Sequence, residues 1–149
     1  MMTKRQLQRM MIQRRGKQWD TLPERQFKDF NRKHGLGFAQ NQSISVSDEG
    51  EYYTYQLDFA RPLNWRQYLI TGFFEPKEGY DVNVEIDGPD HDSERAHRKD
   101  LWKDFIKAKH GLKVIHVPAV LCNPKWWDYL KGQMDKAIAG QSRSVWIAA

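Results

Sequence analysis

The chain has 149 residues, a formal net charge of +5 and a 40% hydrophobic composition that includes six Trp, six Tyr and seven Phe. That is enough apolar material for one buried core, and it excludes an intrinsically disordered chain. Cys122 is the sole cysteine, so no internal disulfide can form. No stretch approaches the roughly 20 apolar residues of a membrane span, and the basic start has no apolar run behind it. The expectation is a cytoplasmic protein that contacts no membrane.

The charge is unevenly placed. Residues 1–18 carry Lys4, Arg5, Arg9, Arg14, Arg15 and Lys17 without an acid, which leaves the rest of the chain close to neutral. "TKRQLQRMMIQRRGK" (3–17) predicts a basic helix with Leu7, Met10 and Met11 on one side and Gly16 as its stop. This arm (1–20) precedes a single domain expected over 21–149.

"TLPERQFKDFNRKHGLG" (21–37) predicts a helix with Thr21 as N-cap, Pro23 in the first turn and Gly35 and Gly37 at its end. Leu22, Phe27 and Phe30 would face the core. Strands follow at about 38–46 and 52–60, with "SDEGE" (47–51) as their hairpin connection. The stretch 61–79 is less regular, and an extended piece is expected around 68–74. A strand at 80–87 precedes a helix at about 93–109, with Leu101, Trp102, Phe105, Ile106 and Ala108 as its apolar side and Gly111 as its stop. "KVIHVPA" (113–119) predicts a buried strand and 124–140 a closing helix, with Trp126 and Trp127 in the core. The tail 141–149 carries no assignment. The order is that of an α/β fold with a mixed sheet of about four strands flanked by helices. Its first three strands should be antiparallel, and the last, reached through a helix, should join in parallel.

"VEIDGPDH" (84–91) is the stretch that carries chemistry. Strand side chains alternate, so Val84 and Ile86 take one face while Glu85 and Asp87 take the other, roughly 6.6 Å apart. Asp58, in "YQLDFARP", holds a comparable place on the preceding strand. If those strands pair, the carboxylates of Asp58 and Glu85 converge. Hard cations such as Mg²⁺ or Mn²⁺ bind through one or two carboxylates and keep waters for a phosphate substrate. An acidic pair beside basic helices is the layout of metal-assisted phosphodiester hydrolysis. The bland reading is an exposed strand face with an Asp-Gly turn.

"YQLDFARP", "VEIDGPDH" and "RAHRKDLWKDFIKAKHGLKVIHVP", read together, resemble the PD-(D/E)XK nuclease superfamily, whose fold is restriction-endonuclease-like. The nearer likeness is to its short single-domain branch, related to very-short-patch repair endonucleases, and it covers roughly residues 21–120. The resemblance implies metal ligation by Asp58, Glu85 and the Ile86 carbonyl, and it matches Glu24 to a glutamate of the first core helix. It makes His91 a general acid or base, and Arg98 and Asp100 a helix pair for phosphate contact and orientation. Asp87 stands where most of the superfamily has lysine, so water activation would fall to Asp87 or to another group. Glu24 is also three residues past Thr21, as in a capping box. His34, His97, His110 and His116 read as structural or surface residues, and with Cys122 they show no zinc spacing.

The expected function is therefore a Mg²⁺- or Mn²⁺-dependent endonuclease on DNA, nicking or structure-specific, acting as monomer or homodimer with no obligate protein partner. Arg98, Lys99, Arg14 and Arg15 would meet phosphates. DNA repair and phage roles both fit. The alternative is a nuclease-fold protein that binds nucleic acid without cutting it.

Overall fold

The computed structural model describes Thr3 and residues 20–75, 79–88 and 94–149, the side chains of 94–97 excepted. The expected basic helix with Arg14 and Arg15 lies outside the described residues, as does His91.

Helix α1 (Leu22–His34) starts where Thr21, in extended backbone, accepts a hydrogen bond from the Glu24 amide through its hydroxyl. It stops at Gly35, whose left-handed φ of 58° lets its N–H and that of Leu36 return to the last turn's carbonyls. Phe27 and Phe30 are buried. Leu22, expected beside them, is 57% exposed. At about 100° per residue it stands roughly 140° around the helix from Phe27, off the buried side.

Strands β1 (Ala39–Asp48) and β2 (Glu51–Pro62) form a long antiparallel hairpin from Ala39↔Ala60 to Asp48↔Glu51. Its two turn residues, Glu49 and Gly50, both have positive φ, as the twist of a tight hairpin requires. The extended piece expected near 68–74 is instead helix α2 (Trp65–Thr71), ended by Gly72 in the left-handed region. Trp65 lies over Gly37, where an added Cβ would come within 2.9 Å of the ring. That close approach is why glycine suits the position.

Strand β3 (Tyr80–Asp87) pairs antiparallel with β2. Helix α3 (Glu94–Lys109) then crosses to β4 (Lys113–Pro118), which is parallel to β3. After two short 3₁₀ turns, helix α4 (Trp127–Ala139) leads to β5 (Ser144–Trp146), parallel to β4. The sheet is mixed and has five strands in the order β1-β2-β3-β4-β5. The fifth comes from the unassigned tail, a three-residue strand too short for a periodic signal.

The two faces of the sheet differ in chemistry. Phe59, Val82, Val84, Ile115 and Val117 pack with Phe27 and Phe30 of α1 and Leu130 and Met134 of α4 to make the apolar core. Trp127 packs against this core, but Trp126 is exposed, contrary to expectation. The alternate residues Asn83, Glu85, Asp87 and His116 bond one another or α3 on the opposite side. The expected apolar side of α3 is accordingly wrong for three residues. Leu101, Trp102 and Phe105 are 46%, 52% and 53% exposed, while Asp104 and Lys107 join Ile106 in the interior. The strands beneath α3 present polar groups, and only polar partners satisfy them. Among the described residues, no helix is long and apolar enough to cross a membrane.

Buried Lys113 closes the far end of α4, its Nζ donating to the carbonyls of Ala137, Ile138 and Gly140. Lys113→Met should strip the helix end of these partners and cost about 2 kcal/mol in urea denaturation. An unchanged midpoint would show that the lysine contributes no cap.

Candidate active site

The β2–β3 ladder runs to Phe59↔Val84, and the next positions along the two strands are Asp58 and Glu85. There the Ile86 amide donates to Asp58 Oδ2 at 2.9 Å, a side chain serving as acceptor beyond the last ladder pair. The Asp58 and Glu85 carboxyls lie within hydrogen-bonding reach of each other. Burial, then the charge and hydrogen bond of Glu85, raise the Asp58 pKa to about 7 against the opposing Ile86 amide and Lys107. The expected convergence of these two residues is present.

Glu24 reaches the same neighbourhood from the start of α1. Burial raises its pKa, and the charge of Asp58 adds to the effect. It also accepts from the Thr21 hydroxyl at 3.0 Å, so the capping role and the proximity to Asp58 coexist.

Lys107 is the residue that sequence reasoning missed. Only 3% exposed, it sends Nζ from α3 to Asn83 Oδ1 at 2.8 Å and to Glu85 Oε1 at 3.1 Å. Tyr55 places its ring 5.6 Å from the same ammonium. The available signal was its place between Ile106 and Ala108, a lysine set inside an apolar run.

Asp87 is engaged elsewhere. His116 donates through Nδ1 to Asp87 Oδ2 at 3.0 Å and through Nε2 to Asp104 Oδ2 at 2.7 Å. Ser144 adds a 2.6 Å bond to Asp104, and Trp146 stacks on the imidazole at 3.6 Å. Burial would lower the His116 pKa, but the two carboxylates outweigh it and bring it to about 9. The ring is an imidazolium at neutral pH, tying β3, α3 and β4 together.

Among the described residues, no three His, Cys, Asp or Glu side chains are grouped so as to hold a metal ion. Asp58 and Glu85 form a pair, which is the number of carboxylates Mg²⁺ commonly takes when waters complete its shell. Arg98 and Lys99 are exposed on α3 beside Trp102 and Lys103. Comparison with known proteins finds no matching family model, curated protein or solved structure.

The folded state keeps the Asp58 proton between pH 3.8 and about 7, where the unfolded chain releases it, so this group lowers stability progressively across that window. Asp58→Asn should raise metal-free stability by up to about 4 kcal/mol above pH 7 and hardly at all below pH 4, read as urea midpoints in chelator. A pH-independent difference would remove the assignment. His116 behaves oppositely. Its stabilisation is fully present below the unfolded value of 6.5 and lost as pH rises through about 9, so the deficit of His116→Gln should shrink between those limits.

Proposed function

We propose that this chain is a divalent-metal-dependent endonuclease hydrolysing DNA phosphodiester bonds, with a restriction-endonuclease-like sheet and kinship to the short branch of the PD-(D/E)XK superfamily. The observation that carries the reading is the meeting of Asp58 and Glu85 at the end of a strand ladder with Lys107 Nζ on Glu85. Two carboxylates pressed together inside a protein raise each other's energy, and a cation between them relieves it.

A bound Mg²⁺ or Mn²⁺ would supply Lewis-acid stabilisation of phosphoryl oxygens and acidify a water. Asp58 and Glu85 would hold it with the Ile86 carbonyl, and the Asp58 bond to the Ile86 amide supports that placement by anchoring Ile86. Lys107 takes the part of the lysine absent at position 87, reaching Glu85 from α3 instead of from β3. Its ammonium has three donors; Asn83 and Glu85 take two, and the third serves a water or a phosphoryl oxygen. Asp87, bonded to His116, acts as a positioning residue. His91 is the proton-transfer group, and Glu24 orients solvent at the pair. Arg98, Lys99, Arg14 and Arg15 meet phosphates. One such site nicks one strand, and a homodimer would cut both.

Incubation of supercoiled plasmid with Mg²⁺ or Mn²⁺ tests the reading. Native protein should nick it, Asp58→Ala and Glu85→Ala should not, and Lys107→Met should slow nicking roughly 100-fold while retaining its circular dichroism. The same ions should raise the native melting temperature and do so much less in Asp58→Ala. DNA binding without cleavage by native protein would instead establish a non-catalytic binding protein on this scaffold.

A further inference from the structure

Helix α3 leaves outside what an amphipathic helix ordinarily hides. Trp102 and Phe105 stack on each other at 5.8 Å between centroids, each about half exposed, with Leu101 beside them in sequence. A groove of about 430 Å³ separates Trp102 from the hairpin, where Tyr53 and Tyr55 are stacked in parallel at 6.1 Å and 7°. Among the described residues, the rest of its lining is Arg98, Lys99 and Lys103, all positively charged. An exposed apolar set of this kind marks a contact surface.

The chemistry of the lining selects the occupant. Aromatic faces invite flat rings, and three cations invite an anion repeated along a chain. A polynucleotide has both, but a duplex keeps its base faces stacked inside and shows only edges and phosphates. A strand with unpaired bases shows both together. The groove also abuts the proposed catalytic centre, because Tyr55 lies 5.6 Å from Lys107 Nζ, which is 3.1 Å from Glu85.

We propose that the groove between α3 and the β1–β2 hairpin binds an unpaired segment of DNA. Bases stack on Trp102, Tyr53 and Tyr55, and phosphates meet Arg98, Lys99 and Lys103. Binding itself is independent of cleavage. Its consequence, delivery of frayed, flapped or branched DNA to Asp58 and Glu85, rests on the nuclease reading above.

Fluorescence anisotropy in EDTA, where no metal-dependent cutting occurs, tests it with labelled single-stranded oligodeoxythymidylate and a duplex of equal length. Native protein should prefer the single strand. Trp102→Ala should weaken single-strand binding roughly tenfold and leave duplex binding within about twofold, while Trp102→Phe keeps most of the affinity. Lys103→Gln should lower the salt slope of single-strand binding by about 0.7. Equal losses on both ligands, or none, would overturn the proposal. So would a dimer that Trp102→Ala dissociates without altering the single-strand preference, since a second copy would then be what covers the surface. If plasmid nicking fails but the Trp102-dependent preference holds, the groove stands and the nuclease reading falls. If nicking is intact and no such preference exists, the nuclease reading stands and the groove falls.

Discussion

A charged layer buried between α3 and the sheet governs the rest of the molecule. Lys107 and Asp104 are nearly inaccessible, and each would cost several kcal/mol if left unpaired there. Glu85 and Asn83 answer the lysine, and the imidazolium of His116 answers Asp104 and Asp87 together. Each charge is tolerated only because its partner sits on a different element. Strand β3 supplies Asn83, Glu85 and Asp87, β4 supplies His116, and α3 supplies both inward groups. Rotating α3 by even one residue about its axis would leave several of them without a partner, so the layer sets the rotation of the helix.

That rotation has two consequences on opposite sides of α3. Inward, it brings an ammonium to Glu85 beside Asp58, whose pKa burial and the charge of Glu85 raise to about 7. Such a pair suits a cation, and perturbed groups of this kind concentrate where proteins do chemistry. Outward, the same rotation leaves Trp102 and Phe105 facing solvent next to Arg98, Lys99 and Lys103. The apolar surface on α3 is thus the counterpart of its polar interior, and the two lie within reach of one another through Tyr55.

Much of this was legible residue by residue. Thr21, Pro23 and Gly35 bound α1 because capping is a local matter of a few dihedrals and one or two hydrogen bonds. Strict alternation in "VEIDG" separated the core face of β3 from its carboxylates, and the order of strands and helices foretold which pairs run parallel. Asp58 and Glu85 could be foreseen as neighbours because each stands on an expected strand and the two strands were expected to be antiparallel. The Phe59↔Val84 register that joins them was set by the fold, since helix α2 lies in the connection. Lys107 escaped notice because a lysine near the end of a helix ordinarily points to water. Helix α3 was turned the wrong way because hydrophobicity counts apolar residues and does not see what faces them. A helix over a polar sheet obeys the sheet.

By itself, then, the amino-acid order determined the elements other than α2 and β5, most of their ends, the mixed direction of the strands and the two strand carboxylates, since these follow from short-range geometry and period. Only the tertiary structure decided which side of α3 is buried, that Lys107 answers Glu85, and that Asp87 belongs to His116. The energy of a buried charge is set by its partner. Here Lys107 and Glu85 stand 22 residues apart along the chain and Asp87 and His116 stand 29 apart, so no local pattern could pair them before folding did.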